Sequence, residues 1–165
     1  MELRSIIETY MMASGMYCSQ AEMIEASARA MVFERLRAAG LRPTRQRVAL
    51  AQLLFGSGDR HVTAEELHEE ALGARIPVSL ATIYNTLNQF TEAGLLREVA
   101  IEGQRTYFDT NTSNHFHFYL EEERRLVDIP GGDLAVVGLP DVPEGTRVRR
   151  IDVIVRLEQA AEKAR

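Results

Sequence analysis

The sequence predicts an α+β fold, with helices in its first two thirds and strands in its last third. Between residues 21 and 93, apolar side chains recur at the three- and four-residue spacing of amphipathic helices. After Gly94 the pattern changes to the period-two alternation of half-buried strands. With 165 residues, 45% of them hydrophobic and 26% charged, the chain has the composition of a globular protein with one domain or two small ones.

Four helices are predicted in the first part of the chain. A hydroxyl side chain precedes the second, third and fourth, where it can accept a hydrogen bond from a free backbone N–H of the first turn. Glu66, three residues after Thr63, adds a capping box. Gly40 and Gly94 suit the left-handed position that ends a helix. The predicted N-caps are Thr44, Thr63 and Ser79, and the helices are expected over residues 21–39, 45–55, 64–73 and 80–93.

A β-hairpin is predicted directly after the fourth helix. Residues 95–101 and 106–109 form its strands, and residues 102–105 form its turn. Helices followed by a hairpin make a winged helix-turn-helix domain, in which residues 63–73 are the second helix of the motif. Residues 79–93 are then its recognition helix.

Strand-like alternation resumes after a polar hinge at residues 111–114, and this predicts a second, small αβ domain. Its expected elements are strands at residues 115–119, 126–129 and 148–157 and a short helix at residues 133–138. The predicted organisation is an N-terminal arm, a winged-helix domain, a hinge and a C-terminal domain, over residues 1–20, 21–110, 111–114 and 115–165.

The outward face of the fourth helix carries no charge, although exposed helix faces normally carry Lys and Glu. Asn and Gln side chains can pair with adenine, and Ala, Thr or Tyr can contact the methyl group of thymine. This face therefore indicates a helix that contacts base edges. Its residues are Ala81, Thr82, Tyr84, Asn85, Asn88 and Gln89.

The net charge of −5 argues against nucleic-acid binding only until its distribution is considered. Residues 1–28 and residues 109–165 each carry a net charge of −3, whereas residues 29–108 carry +1. Within residues 29–108, a run of thirteen residues, 35–47, contains five arginines and no acid. The planar guanidinium groups of arginine suit phosphate and guanine. The five arginines are Arg35, Arg37, Arg42, Arg45 and Arg47.

Several classes of protein are excluded by simple counts. No run of 18 apolar residues is present, so no membrane span is expected, and the N-terminus lacks the layout of a secretory signal. Cys18 is the only cysteine, which excludes an intrachain disulfide and an all-cysteine metal cluster. A reducing, cytoplasmic location is expected.

His115 and His117 are two residues apart in a predicted strand, so both imidazoles point to one face and can approach one ion. Imidazole and carboxylate ligands suit Zn, Mn or Fe, and open positions could take haem iron instead. The alternative is that both histidines are half-buried filler residues. Phe116 and Phe118 point to the opposite face and are expected in the core.

Three ordered motifs lie at residues 40–47 (GLRPTRQR), 61–67 (HVTAEEL) and 78–87 (VSLATIYNTL). Together they resemble the ferric uptake regulator (Fur) family. Segments at residues 107–111, 128–130, 139–140, 143–145 and 151–157 are similar to the iron response regulator (Irr) branch of this family in alphaproteobacteria. The resemblance covers about residues 32–157. It implies a homodimeric repressor or activator of iron-responsive genes that binds double-stranded DNA, with an αβ dimerisation domain that senses haem or a divalent metal.

The resemblance also implies site residues. Tyr84 and Asn85 would contact bases in the major groove, and Arg42 would approach the minor groove. Ser79 and Thr82 would lie near phosphates. Thr44, Arg45 and Arg47 complete the predicted DNA contacts. The implied metal ligands between the two domains are His61, Asp109, His115 and His117, and the two strand histidines are also the candidate haem ligands.

This chain departs from the family pattern at several positions. Phe116 stands where Irr proteins carry a histidine, and Phe118 replaces a ligand position of many Fur proteins, so the expected site is incomplete. His115 and His117 could instead form a site within the second domain, together with an acid such as Asp133 or Glu144. Leu120 and Glu123 replace the Cys-x-x-Cys of a structural zinc site, and Cys18 is followed by Ser19 and not by the proline of a Cys-Pro haem motif.

The residues and the family resemblance leave three other functions open. A peroxide sensor of the same family would oxidise His61, His115 or His117 beside bound iron. A metal-dependent enzyme would use His115, His117 and Asp109, but the sequence has no paired general base, nucleophile motif or phosphate-binding loop, so the chain is not expected to be an enzyme. An interaction module that needs no metal is the third alternative.

Overall fold

The computed structural model describes residues 20–101, 105–130 and 134–159. The predicted N-terminal arm with Cys18, residues 102–104 of the hairpin turn, residues 131–133 with Asp133, and residues 160–165 lie outside the described residues. The helices are α1 Gln20–Ala38, α2 Arg45–Phe55, α3 Ala64–Gly73 and α4 Leu80–Glu92. The strands are β1 His61–Val62, β2 Arg97–Ala100, β3 Thr106–Asp109, β4 His117–Leu120, β5 Arg125–Asp128 and β6 Ile154–Leu157.

The predicted helix ends are confirmed by their capping bonds. The Thr63 hydroxyl accepts from the Glu66 backbone N–H at 3.2 Å, and the Glu66 carboxylate accepts from the Thr63 backbone N–H at 2.7 Å. Thr44 and Ser79 accept from the third residue of their helices in the same way. Gly40, with φ of 75°, ends α1 in a left-handed turn.

The main core lies between the four helices and β3. The apolar face predicted for α4 is buried against this core, with Ile83, Leu87 and Phe90 fully inaccessible. Leu36 of α1 and Phe108 of β3 belong to the same cluster. The helical bundle is therefore continuous with the first sheet, and α4 can expose only its opposite face.

The strands form two three-stranded sheets. The first has the order β1-β3-β2 and is antiparallel, and its register aligns His61, Asp109 and Arg97 across the sheet. The second has the order β5-β4-β6, in which β4 pairs antiparallel with β5 and parallel with β6. His117 lies opposite Asp128 on one side and Ile154 on the other. Because β1 contacts β5, these two rows of residues meet between the sheets.

The second part of the chain contains less regular structure than predicted. The short helix expected at residues 133–138 is absent over residues 134–138, where Gly138 has φ of 73°. The strand expected at residues 148–157 is limited to Ile154–Leu157. Alternation alone does not form a strand, since each strand needs a neighbour for its backbone hydrogen bonds, and β4 offers one only for this last stretch.

The two faces of β4 are also not buried as expected. His117 and Tyr119 point to the buried face. Phe116 and Phe118, which were expected in the core, are half-buried.

Among the described residues, no helix is both long and apolar enough to span a bilayer.

Candidate metal centre and nucleic-acid interface

Five side chains meet where the two sheets face each other. Each can offer one ligand atom, and these atoms all lie within 4.8 Å of one another. The sequence predicted four of them, and the fifth is new. We call this set the five-residue cluster: His61, Asp109, His115, His117 and Asp128.

The sheet registers place these residues. His61 and Asp109 are direct neighbours on β1 and β3, and His117 and Asp128 are direct neighbours on β4 and β5. His115 lies two residues before His117, in the segment that leads into β4. The cluster therefore takes two ligands from the first sheet and the others from the second sheet and the segment that leads into it.

Both carboxylates are oriented by the hinge residue Asn111. Its backbone N–H donates to Oδ1 of Asp109 at 2.8 Å, and its side-chain amide donates to Oδ2 of Asp128 at 3.4 Å. The second oxygen of each acid, Oδ2 of Asp109 and Oδ1 of Asp128, is buried without a hydrogen bond, as is Nε2 of His61. Buried polar atoms normally form hydrogen bonds, so three such atoms that form none and converge on one point indicate a missing ligand.

The spacing of these atoms fits a divalent metal ion. Nε2 of His115 lies 3.0 Å from Oδ2 of Asp109, and Nε2 of His61 lies 3.0 Å from Oδ1 of Asp128. His117 Nε2 lies 3.0 Å from His115 Nε2 and 3.4 Å from Asp109 Oδ2. Ligands bound at about 2.0–2.2 Å to one ion are roughly 3.0–3.5 Å apart, so the five residues fit such an ion.

The protonation of the cluster also suits a cation. Burial lowers the pKa of His61, and this effect outweighs the carboxylates of Asp109 and Asp128. Burial by itself raises the pKa of Asp109, but the neighbouring imidazole of His117 and the hydrogen bond from the Asn111 backbone hold it below its ordinary value. A neutral His61 and an ionised Asp109 are the forms that bind metals. The negative charge that the acids bring into the cluster calls for a bound cation.

Asp128 corrects the expectation that the site is incomplete. Glu144, one of the suggested acids, is exposed and does not belong to the cluster, and Asp133 lies outside the described residues. The signal for Asp128 was present in the sequence. In a symmetric hairpin whose turn is residues 121–124, the residue opposite His117 is Asp128.

The outward face of α4 is placed as predicted. Tyr84 is 39% exposed, and its hydroxyl donates to Oε1 of Glu65 at 2.7 Å. Asn85 and Asn88 are exposed, whereas Thr82 is half-buried and bonds to the Ser79 hydroxyl at 2.9 Å. The side chain of Ser79 thus caps α4, while the N-terminal end of this helix stays accessible.

The five arginines of the acid-free block have different surroundings. The Arg35 guanidinium lies 3.7 Å from the centre of the Phe55 ring, and Arg37 pairs with Glu34 at 3.5 Å. Arg42 and Arg45 are exposed and, within the part of the chain that the structure describes, form no side-chain hydrogen bond or ion pair.

Arg47 differs from Arg42 and Arg45 because its guanidinium is already occupied. It donates to Oε1 of Gln89 on α4 at 2.6 and 3.1 Å and to the backbone carbonyl of Arg42 at 2.9 Å. These bonds connect α2 to α4 and to the loop that carries Arg42. The three arginines therefore provide two free cations and one internal contact.

The helices, the hairpin and the second sheet define a winged-helix protein with a metal-type cluster between its two sheets. The sequence profile of the ferric uptake regulator family matches residues 38–134, more than half of the chain. The chain therefore belongs to the ferric uptake regulator family.

Curated relatives include the peroxide-responsive repressor PerR of Staphylococcus epidermidis. It is 40% identical over 94 residues, which cover 56% of this chain and 61% of the relative. PerR of Staphylococcus aureus strain Mu50 is also 40% identical over 94 residues and is covered to 62%. The chain thus spans about three fifths of the length of these relatives.

Solved structures confirm the α+β fold. The Vibrio cholerae ferric uptake regulator superposes with a TM-score of 0.61 at 22% identity, over 77% of this chain and 98% of that one. The Pseudomonas aeruginosa ferric uptake regulator with manganese gives 0.57 at 22% identity, over 76% and 96%. At these identities the likeness establishes the fold.

Proposed function

We propose that this chain is a DNA-binding transcription regulator whose affinity for DNA depends on a divalent metal held by the five-residue cluster. One observation carries the proposal. Three buried ligand atoms from two sheets converge without a hydrogen bond, and they belong to His61, Asp109 and Asp128. We propose a regulator and not an enzyme because the chain belongs to the ferric uptake regulator family.

A metal ion is the better occupant than haem. His115 and His117 have side chains only 7% and 1% exposed, and both Nε2 atoms lie beside carboxylate oxygens. A haem plane needs an open slot at its axial ligand, and hard carboxylates favour Mn, Fe or Zn ions. We therefore propose Mn(II), Fe(II) or Zn(II) as the ligand.

The bound cation would neutralise the charge of two acids that face each other across the sheets. Without it, Asp109 and Asp128 repel each other at a place where His61 of the first sheet meets the second sheet. Metal occupancy would thus determine how firmly the winged-helix part, proposed as residues 21–110, is held to residues 115–165.

The proposed DNA surface combines base contacts and phosphate contacts. Tyr84 and Asn85 would contact bases, while Ser79, Thr82 and Thr44 lie at helix starts, where phosphates bind. Arg42 is proposed for the minor groove and Arg45 for phosphates, because both are free. Arg47 is occupied by Gln89, so we propose that it mainly positions α4 and the Arg42 loop. A homodimer in the cytoplasm would bind two half-sites of a double-stranded operator.

Iron status is the proposed signal, since five short segments between residues 107 and 157 are similar to the iron response regulator branch. A second candidate signal is peroxide. It is favoured by the 40% identity to peroxide-responsive repressors and by a cluster that contains three imidazoles and no thiol. Iron(II) in the cluster would supply electrons to peroxide, and the nearest oxidisable side chains are those of His61, His115 and His117.

Two measurements test these proposals. Mn(II) binding and DNA binding are measured together, by calorimetry and by fluorescence anisotropy with a duplex selected from a random pool. We expect tight Mn(II) binding and a metal-dependent rise in DNA affinity, and full DNA affinity after exhaustive chelation would overturn metal control. For the peroxide candidate, mass spectrometry after Fe(II) and peroxide should find added oxygen on a cluster histidine, and unmodified histidines would reject it.

A further inference from the structure

Arg97 of β2 is a buried arginine that the sequence patterns do not single out. Its side chain is 4% exposed, and its Nε is buried without a hydrogen-bond partner. Burying a guanidinium is unfavourable unless its N–H groups are paired, and here one of them is not. The partners of its remaining N–H groups therefore indicate what this side chain does.

The guanidinium of Arg97 contacts two segments outside its own strand. Nη1 donates to the backbone carbonyls of Ser113 at 3.1 Å and His115 at 3.2 Å. Nη2 pairs with Oδ1 of Asp152, which lies just before β6. The other oxygen of Asp152 accepts from Arg150 at 2.8 Å. Arg97 therefore holds the segment that enters β4 and is itself held by the segment that enters β6.

These contacts lead directly to the five-residue cluster. Arg97 lies opposite Asp109 in the first sheet, and His61 lies opposite Asp109 on its other side, so all three side chains share one face. Nδ1 of His115 lies 3.0 Å from the Ser113 carbonyl, the same oxygen that Arg97 contacts. An imidazole that donates from Nδ1 leaves the lone pair of Nε2 free for a metal ion.

We infer that Arg97 is a positioning residue for the metal centre. By holding the carbonyls of Ser113 and His115, it fixes the backbone that carries His115 and the hydrogen bond that sets the tautomer of this histidine. Asp152 acts on the metal indirectly by holding the guanidinium in place. The inference rests on the proposed metal-binding function. It adds Arg97 and Asp152 as residues that support the centre without binding the metal themselves.

The experiment measures Co(II) binding to the full chain and the imidazole ¹⁵N shifts of the metal-free protein. The variants are Arg97→Gln and Asp152→Asn, and the control is Arg149→Gln, an exposed arginine that forms no side-chain hydrogen bond or ion pair within the described residues. We expect Arg97→Gln to raise the Kd for Co(II) by about 10–100-fold, as for other outer partners of metal ligands. Asp152→Asn should change it in the same direction, and Arg149→Gln should leave it unchanged.

The Co(II) absorption bands and the His115 tautomer separate positioning from a general loss of stability. We expect altered bands and a mixture of tautomers in Arg97→Gln, with the Nδ1–H form in the wild type. Wild-type Kd, bands and tautomer in folded Arg97→Gln would overturn the inference. If Arg97→Gln does not fold, Asp152→Asn decides in the same way. A wild-type protein that binds no Co(II) would instead overturn the proposed metal function, and the tautomer would still test Arg97.

Discussion

Asp109 and Asp128 lie on different sheets, and each gives one carboxylate oxygen to a hydrogen bond with Asn111 and aims the other at the same buried point. The backbone of Asn111 holds the first acid, and its side chain holds the second. Because Asn111 belongs to the segment that joins the sheets, the orientation of both acids depends on how this segment is folded.

Asp128 should be essential for metal binding. Asp128→Ala removes a carboxylate from the cluster, and we expect the Kd for Mn(II) to rise by more than the roughly 10–100-fold that outer-shell changes cost. Isothermal calorimetry measures this. Glu144→Ala removes an exposed acid outside the cluster and should bind Mn(II) like the wild type. The opposite order of effects would mean that the ligand set is wrong.

Asn111 should tune the same affinity without touching the metal. Asn111→Ala keeps the backbone bond to Asp109 but loses the side-chain bonds to Asp128 and Ser113. We therefore expect the Kd for Mn(II) to rise by about 10–100-fold. Asn114→Ala, an exposed change in the same segment, is the matched control. Equal affinities of both variants would argue against orientation by Asn111.

The free and the occupied arginines should differ in their effects on DNA binding. Arg42→Ala and Arg45→Ala should each lower the slope of log affinity against log salt by about one, without changing the melting temperature. Arg47→Ala should lower the melting temperature, because it breaks the bonds to Gln89. Anisotropy titrations in a salt series and thermal unfolding measure both. An unchanged salt slope in Arg42→Ala and Arg45→Ala would exclude them as phosphate contacts.

Tyr84 should carry sequence discrimination. Tyr84→Ala removes the exposed ring from α4, and we expect a loss of about 1–3 kcal/mol in the preference for the selected operator over a scrambled duplex. Competition anisotropy measures this preference. Glu65→Gln keeps a hydrogen-bond acceptor for the Tyr84 hydroxyl and should retain most of the preference. Unchanged discrimination in Tyr84→Ala would remove this residue from the interface.

Tyr107 should make the folded protein sensitive to alkali. Burial, with a smaller contribution from Tyr119, raises the pKa of Tyr107 to about 12, and its hydroxyl donates to the Arg124 carbonyl at 2.6 Å. The pKa of a tyrosine in the unfolded chain is about 10. The contribution of Tyr107 to the free energy of unfolding is therefore complete below that pH and is lost as the pH rises towards 12. Urea unfolding of the wild type and Tyr107→Phe at several alkaline pH values measures it. Ionisation of all tyrosines near pH 10, followed by absorbance at 295 nm, would contradict the prediction.

Local signals in the sequence determined the helices of this protein. Thr44, Thr63 and Ser79 satisfy backbone groups within their own first turns, so their role depends on residues at most three positions away. The uncharged face of α4 follows from the same local logic, because one apolar face fixes which face remains outside. The family resemblance, and not a local pattern, implied that His61, Asp109, His115 and His117 share one metal site between the domains.

Tertiary structure decided what completes and supports that centre. Asp128 joins it through strand register, and Arg97 supports it through a side chain that spans two sheets, with Asp152 located 55 positions further along the chain. The limited length of β6 was also decided there, because strand pairing needs a partner that periodicity does not reveal. Capping and amphipathic patterns act over one or two helical turns, whereas a metal-type cluster requires distant segments to meet within a few ångströms. The sequence therefore determined the four helices and the chemistry that their outward faces carry, and the packing of the two sheets decided which side chains act together.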